Sequence, residues 1–77
     1  MPHVVVKLTA GRTEEKKAEL ANALAKTVVT ILGCEDSAVS VGIEDIPNGK
    51  WLERVYDPDI RDKPETLYKK PGYRPAG

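Results

Sequence analysis

The feature that most constrains this chain is a stripe of apolar residues spaced four positions apart. The stripe consists of Leu20, Leu24, Val28 and Leu32, widened by Ala21, Ala25 and Ile31. This spacing predicts a long amphipathic helix that buries one face. Thr13 is a suitable N-cap, and two glutamates follow it where the helix dipole is positive. Gly33 is placed to end the helix.

Two short valine-rich segments flank the helix, and each alternates between two faces. The first covers residues 3–8 and the second residues 39–44. The apolar faces are predicted to carry Val4, Val6 and Leu8 in the first segment and Val39, Val41 and Ile43 in the second. Such alternation predicts strands. The order of strand, long helix and strand predicts an α+β fold built on a βαβ unit, with parallel strands and a right-handed crossover helix.

One helix covers only one face of such a sheet, and the chain is too short to cover the other face well. It has 77 residues and one cysteine, so no internal disulfide stabilises it. Cores of this size gain stability by association. We therefore predict a single domain over residues 1–77 whose sheet is completed by oligomerisation, as a symmetric homodimer.

The region after the second strand is less regular. A turn is predicted at residues 47–50, and residues 51–56 fit either a short helix or an extended segment. Four prolines interrupt the chain from residue 57 onwards, so nothing long is expected there. Pro58 and Pro64 each suit the start of a helical turn. We predict that this proline-rich tail, residues 57–77, packs on the domain or on a neighbouring subunit.

The charge balance narrows the classes of partner. Twelve basic and twelve acidic residues give a net charge of zero, whereas proteins that wrap nucleic acid carry a strong basic excess. No apolar stretch approaches a membrane span, and no signal-peptide pattern is found. The sequence thus predicts a cytoplasmic protein with neither nucleic-acid nor membrane partners. No Cys/His cluster suggests a metal or another cofactor, and Cys34 is interpreted as a structural or incidental thiol rather than a nucleophile.

The start of the chain carries a further pattern. Pro2 directly follows the initiator methionine, and after it come the first strand, Gly11-Arg12-Thr13, the long helix, the second strand and the aromatic Trp51. In this order the features resemble the 4-oxalocrotonate tautomerase family. The segment LYKKPGY, residues 67–73, resembles the small phenylpyruvate tautomerase-like subgroup. The resemblance implies a tautomerase-like βαβ protomer, and because the family's shorter members form hexamers, a hexamer is the alternative to the homodimer.

The resemblance also implies that Met1 is removed and that Pro2 then acts as the general base through a free secondary amine. An α-amino group titrates at about 7.7–8.0. An apolar pocket beside a cation lowers this value further, because both disfavour the ammonium form. Such an amine is neutral near the working pH, so it can take a proton from an enol oxygen or a carbon and return it elsewhere.

Three further residues are predicted to bind substrate. By the resemblance, Arg12 holds a substrate carboxylate, which suits its planar guanidinium. By the same resemblance, Trp51 forms the apolar wall of the pocket; its alternative role is packing in the core or at an interface. Ser40 stands where the best-known members carry a second arginine that helps to hold a dicarboxylate. His3 is interpreted as structural, because the strand residue next to Pro2 points to the opposite face.

These residues together predict a keto–enol tautomerase that acts on a small 2-oxo or 2-hydroxy acid. One cation and one aromatic wall fit a monocarboxylate such as an aryl pyruvate. Two alternatives stay open. The same N-terminal-proline scaffold resembles dehalogenases and decarboxylases, although Ser40 argues against the charged pocket that they need. If Met1 is retained, Pro2 has no free amine, and the chain is then a non-catalytic oligomeric binding module.

Overall fold

The computed structural model describes residues 1–75. Its elements in chain order are strand β1 (His3–Thr9), helix α1 (Glu14–Leu32), a 3₁₀ helix (Asp36–Ala38), strand β2 (Ser40–Ile46), a π-helix (Leu52–Arg61) and a second 3₁₀ helix (Pro64–Thr66). The order of strand, helix and strand confirms the predicted α+β, βαβ fold. Residues 76 and 77, the last two of the predicted tail, lie outside the described residues.

The two strands pair in parallel and form a two-stranded sheet. His3 lies opposite Ser40, and the offset of 37 residues is kept along the whole ladder. The predicted alternation is confirmed in β1, where Val4 and Val6 are half-buried while His3 is exposed. Helix α1 contacts β2 and packs on the face that carries these valines.

Both ends of α1 form as predicted. At its start, Thr13 Oγ1 accepts a hydrogen bond of 3.2 Å from the backbone N–H of Lys16. At its end, Gly33 has a φ of 70°, a left-handed conformation that suits glycine, and its N–H donates to a carbonyl of the last turn at 2.9 Å. Lys17 ties the helix to the sheet, because its Nζ lies 2.7 Å from Oδ2 of Asp45.

The segment after β2 departs from the prediction. Residues 51–56 are helical, and a ten-residue π-helix continues through Pro58. The expectation that nothing long forms in the proline-broken tail was therefore wrong. Proline disrupts an α-helix through the carbonyl four residues back, whereas here the N–H of Asp62 donates at 3.0 Å to the carbonyl of Asp57, five residues back. Pro64 opens a 3₁₀ helix, as predicted.

The most enclosed part of the molecule lies where β2 leads into the π-helix. Ile46 and Val55 are the only buried side chains in residues 1–75, with 1% and 5% of their surface exposed. By alternation, Ile46 shares the sheet face of Ser40, opposite α1. An ion pair between Lys7 Nζ and Asp59 Oδ2, 2.5 Å apart, holds the π-helix over this face. The chain thus covers one end of the second sheet face by itself.

The protomer leaves much apolar surface in water. No residue of α1 is buried, and Ile31 is 74% exposed. The accessible surface is 6095 Å², whereas a monomeric protein of 8.4 kDa exposes about 4,600 Å². The sheet and the core are therefore incomplete in one chain. No helix in residues 1–75 is both long and apolar enough to cross a membrane.

Candidate active site

The end of the sheet where β1 begins carries Pro2. Its carbonyl accepts a 3.2 Å hydrogen bond from the backbone N–H of Ser40, so the ladder that pairs the strands also fixes this residue. Pro2 is half-buried, whereas Met1 is 98% exposed. Removal of Met1 would thus take away no packed surface and would leave a proline amine at the end of the sheet.

His3 and Ser40 lie beside Pro2 at this end. The two residues are register partners, and Nδ1 of the imidazole lies 2.6 Å from Oγ of the serine on the face opposite α1. The sequence analysis missed this contact, because alternation along one strand shows which face a residue takes but not which residue it meets. The available signal was the occurrence of one polar residue at the start of each of two parallel strands.

Arg12 lies beyond the other end of β1, in the connection to α1. Gly11 precedes it with a φ of 130°, a conformation that a side chain would strain. Nη1 of Arg12 donates to the carbonyl of Thr9 at 3.3 Å, and its guanidinium forms no ion pair within residues 1–75. The side chain is exposed, so its charge is available to an anion from outside the protomer.

Trp51 follows the end of β2 after one turn, and it is half-buried. Its indole Nε1 donates to the hydroxyl of Tyr73 at 2.9 Å. The ring of Tyr73 lies 6.0 Å from that of Tyr56, with the two planes at 48°. These contacts join the end of the tail to the π-helix and fix the indole. The open cleft beside the rings has a volume of about 330 Å³, and its lining includes Ile60, Leu67, Lys70 and Arg74.

Within one protomer the four predicted site residues are divided between opposite ends of the sheet. β1 has seven residues, and at about 3.3 Å per residue it is about 20 Å long. The fold brings Ser40 next to Pro2. It keeps Arg12 and Trp51 at the far end, beyond the reach of a single side chain. The four predicted site residues therefore do not form one site within a single copy.

The groups with shifted pKa values also lie towards the far end. A hydrogen bond to Asp59 raises the pKa of Lys7. A hydrogen bond from Arg61 lowers the pKa of the Asp62 carboxyl. Both interactions keep opposite charges in pairs, so they stabilise the π-helix region rather than offer a free charge to a ligand.

Comparison with known proteins relates most of the chain to one family. The sequence profile described as "Tautomerase enzyme" matches residues 2–55. A protein of Xylella fastidiosa named "Probable tautomerase" is 49% identical over 73 residues, which cover 95% of this chain and 89% of that protein. Tautomerase PptA of Pectobacterium carotovorum is 39% identical over 74 residues, which cover 95% of this chain and 97% of that protein.

Solved structures give the same relationship. The crystal structure of an apo unfused 4-OT is similar over 62% of this chain and 79% of its own, with 46% identity and a TM-score of 0.61. A heterohexamer 4-oxalocrotonate tautomerase from Chloroflexus aurantiacus is similar over 66% of this chain and 82% of its own, with 29% identity and a TM-score of 0.64. The similarity thus extends over most of each relative's length.

Proposed function

This chain belongs to the tautomerase family and is an isomerase, and we propose that it transfers a proton between oxygen and carbon of a small 2-oxo or 2-hydroxy acid. In this proposal Pro2 is the general base once Met1 has been removed. The observation that carries it is the place of Pro2 at the start of β1, half-buried and fixed through its carbonyl, with only the exposed Met1 ahead of it.

The proposed reaction needs one group that both accepts and returns a proton. The neutral amine of Pro2 takes the proton from the enol oxygen. As the C=O bond forms, the carbon of the enol double bond takes a proton from the resulting ammonium. An α-amino group titrates at about 7.7–8.0, so part of it is neutral near pH 7, and a neighbouring guanidinium would increase that part.

We propose further that each site is shared between two copies. About 20 Å separates Pro2 and Ser40 from Arg12 and Trp51 within one chain, so the second pair would come from a neighbour. The protomer exposes about 1,500 Å² more surface than expected for its mass, which supports association. We favour a symmetric homodimer, because the π-helix already covers part of the second sheet face. A hexamer is the alternative, and one relative is a heterohexamer.

The proposed substrate is a monocarboxylate with an aromatic or apolar group, such as an aryl pyruvate. The exposed guanidinium of Arg12 suits one carboxylate. The indole of Trp51, held by Tyr73, offers an apolar wall for the rest of the molecule. Ser40 supplies no fixed charge for a second carboxylate, and an unpaired charge that leaves water costs several kcal/mol.

The test compares forms of the protein that differ at the amine. The form without Met1, identified by intact mass, is expected to ketonise phenylenolpyruvate. The form that retains Met1 is expected to lose about 10²–10⁴-fold in kcat, because its Pro2 nitrogen is an amide. Pro2→Ala keeps a primary amine and is expected to fall between the two. Full activity with Met1 retained would contradict the proposal, and a haloacrylate assayed in parallel separates tautomerisation from dehalogenation.

A further inference from the structure

We propose that His3 determines how this site treats a second carboxylate. In its protonated form the imidazole directs the Ser40 hydroxyl towards the substrate as a hydrogen-bond donor and adds a positive charge beside Pro2. The protein then accepts dicarboxylic substrates better than it does when His3 is neutral. This inference rests on the proposed function and concerns the specificity of that same site.

The contact between the two side chains is the basis of the inference. Nδ1 of His3 lies 2.6 Å from Oγ of Ser40, a distance at which the two atoms share one hydrogen bond. A Cβ built on Gly42 would lie 3.9 Å from Cε1 of the imidazole, so the ring lies along β2 between positions 40 and 42. Two neighbouring positions of β2 therefore define where the ring lies.

The pair lies next to the proposed base. Ser40 donates its backbone N–H to the carbonyl of Pro2 at 3.2 Å, and His3 follows Pro2 in the chain. Alternation places the Pro2 ring on the other face from the imidazole, but the amine nitrogen belongs to the backbone and lies at the strand end, beside both faces. Because His3 and Ser40 are exposed, a ligand held at the amine can reach them.

The protonation state of the ring decides what the hydroxyl offers. When Nδ1 is unprotonated it accepts the serine proton, and Oγ then presents only lone pairs. A protonated imidazole donates from both nitrogens, so Oγ accepts from Nδ1 and its own proton is free for a substrate oxygen. The neutral tautomer with a proton on Nδ1 also frees the hydroxyl, but it adds no charge. Only the protonated form supplies both a donor and a cation.

In the part of the chain that the structure describes, no fixed charge lies beside the His3–Ser40 pair on this sheet face. The charged side chains on the face are Lys7 and Glu44, which lie further along the ladder, and the ammonium of Lys7 is engaged by the π-helix. Asp36 in the 3₁₀ helix before β2 and the mature amine of Pro2 are the other titratable groups near this end. Within residues 1–75, no carboxylate forms an ion pair with His3.

The first test follows kcat/KM for a dicarboxylic 2-hydroxydienoate relative to phenylenolpyruvate, from about pH 8.5 down to about pH 5.5. Both substrates need the same base, so the titration of Pro2 cancels in the ratio, and their carboxylates stay ionised. The ratio is expected to rise about tenfold towards acid, because a hydrogen bond to a charged group is stronger than a neutral one. A constant ratio in protein active on the monoacid would overturn the inference alone. Processed protein inactive on both acids would overturn the proposed function as well.

Three variants separate the contributions of charge and hydroxyl. His3→Gln removes the titrating ring and is expected to give a constant ratio at the alkaline value of the unmodified protein. Ser40→Ala keeps the charge but loses the hydroxyl, so part of the rise is expected to remain. Lys7→Gln is the matched control, because it removes a cation from the same strand face away from the pair. It is expected to keep the full rise, and a constant ratio in this control would overturn the assignment to His3.

A second measurement needs no variant. The chain has one histidine, so its Cε1 proton gives a single NMR signal that can be titrated in the intact protein. By linkage, a tenfold preference of a dicarboxylate for the protonated ring moves the titration midpoint upwards by about one pH unit at saturating adipate. Hexanoate, a monocarboxylate of equal length, is expected to move it less. Equal midpoints with the two ligands would overturn the inference.

Discussion

The two ends of the sheet share one hydrogen-bond ladder but differ in how well the rest of the chain covers them. Where the strands finish, an ion pair joins Lys7 to the π-helix, and the side chains of Ile46 and Val55 are buried. Where the strands begin, the described contacts of Pro2 and Ser40 are a backbone bond and one exposed side-chain bond. A chain of this size closes one end of its own sheet and leaves the other end open.

The closed end carries the buried side chains that stabilise the protomer and, on its surface, two proposed substrate-binding residues, Arg12 and Trp51. The open end carries Pro2 and Ser40, which are proposed to act on a substrate and contribute little buried surface. Substitutions of the buried residues at the closed end should change the free energy of unfolding. Substitutions at the open end should change turnover and substrate choice while leaving the protomer folded. Each experiment below tests one part of this comparison between the two ends.

The experiment with the largest expected effect tests whether the open end of one copy meets the closed end of another. Protein that retains Met1 and the Arg12→Ala variant are each expected to lose at least about tenfold in kcat/KM. Refolded together at equal amounts, they should recover about a quarter of the unmodified activity, because half of the symmetric dimers are mixed and each has one intact site.

The matched control for this experiment pairs two substitutions at the same end. Arg12→Ala mixed with Trp51→Ala should give no recovery, since every site in a mixed dimer then lacks one of the two side chains. Recovery in this control, or none in the mixture above, would contradict a site shared between opposite ends.

A second experiment compares burial at the two ends. Ile46 is 1% exposed, so Ile46→Ala is expected to lower the free energy of unfolding by about 2–5 kcal/mol through lost contacts and a cavity. Val5, at the open half of the same strand pair, is 49% exposed, and Val5→Ala is expected to cost much less. Urea unfolding at one protomer concentration measures both, because association adds to apparent stability. Similar losses would remove the difference between the ends.

A third experiment places a fixed charge at the open end. Ser40→Arg is expected to raise kcat/KM for a dicarboxylic 2-hydroxydienoate relative to phenylenolpyruvate by about tenfold, since a guanidinium binds the second carboxylate in a charge-assisted contact. Ser40→Gln, which adds length and polarity without charge, is the control and should change the ratio little. A wide preference for the diacid in the unmodified protein would show that another cation already does this.

The smallest expected effect concerns the ion pair at the closed end. The hydrogen bond to Asp59 raises the pKa of Lys7, so the pair stabilises the fold fully below the ordinary lysine value of about 10.4 and is lost as pH rises through the raised value. The difference in Tm between the unmodified protein and Lys7→Gln should stay constant from about pH 6 to 9 and narrow above about pH 10.5. A difference that widens at high pH would contradict the pairing.

Local patterns predicted the parts of the fold that local interactions determine. The apolar stripe and the residues Thr13 and Gly33 were sufficient for α1 and both its ends, because a helix cap depends on a few neighbouring residues. The alternation of buried and exposed residues along β1 was also confirmed, because the face that a strand residue takes depends only on its position in the strand. The π-helix through Pro58 was missed. Its hydrogen bonds join residues five apart, whereas helices are recognised in a sequence by apolar residues three and four apart.

The arrangement of the candidate site depended on long-range pairing. The meeting of His3 with Ser40 follows from the strand register, which no single segment specifies. The separation of Pro2 from Arg12 was within reach of the sequence, because residues before and after one strand lie at its opposite ends. The family resemblance indicated which residues are candidates for the site. The topology of the fold determines which of them lie close together within one chain.

The constant offset of 37 residues between the strands also affects how quickly a newly made chain folds into an active form. Every contact between β1 and β2 closes a loop of that length, so the sheet waits until α1 has shortened the path between the strands. The helix forms on a timescale of about a microsecond, and its apolar stripe then packs against the sheet of its own chain. Because the proposed site is shared between two copies, recovery of activity after dilution from denaturant is expected to quicken with protein concentration. A cell that makes little of this chain would then wait longest for each working copy.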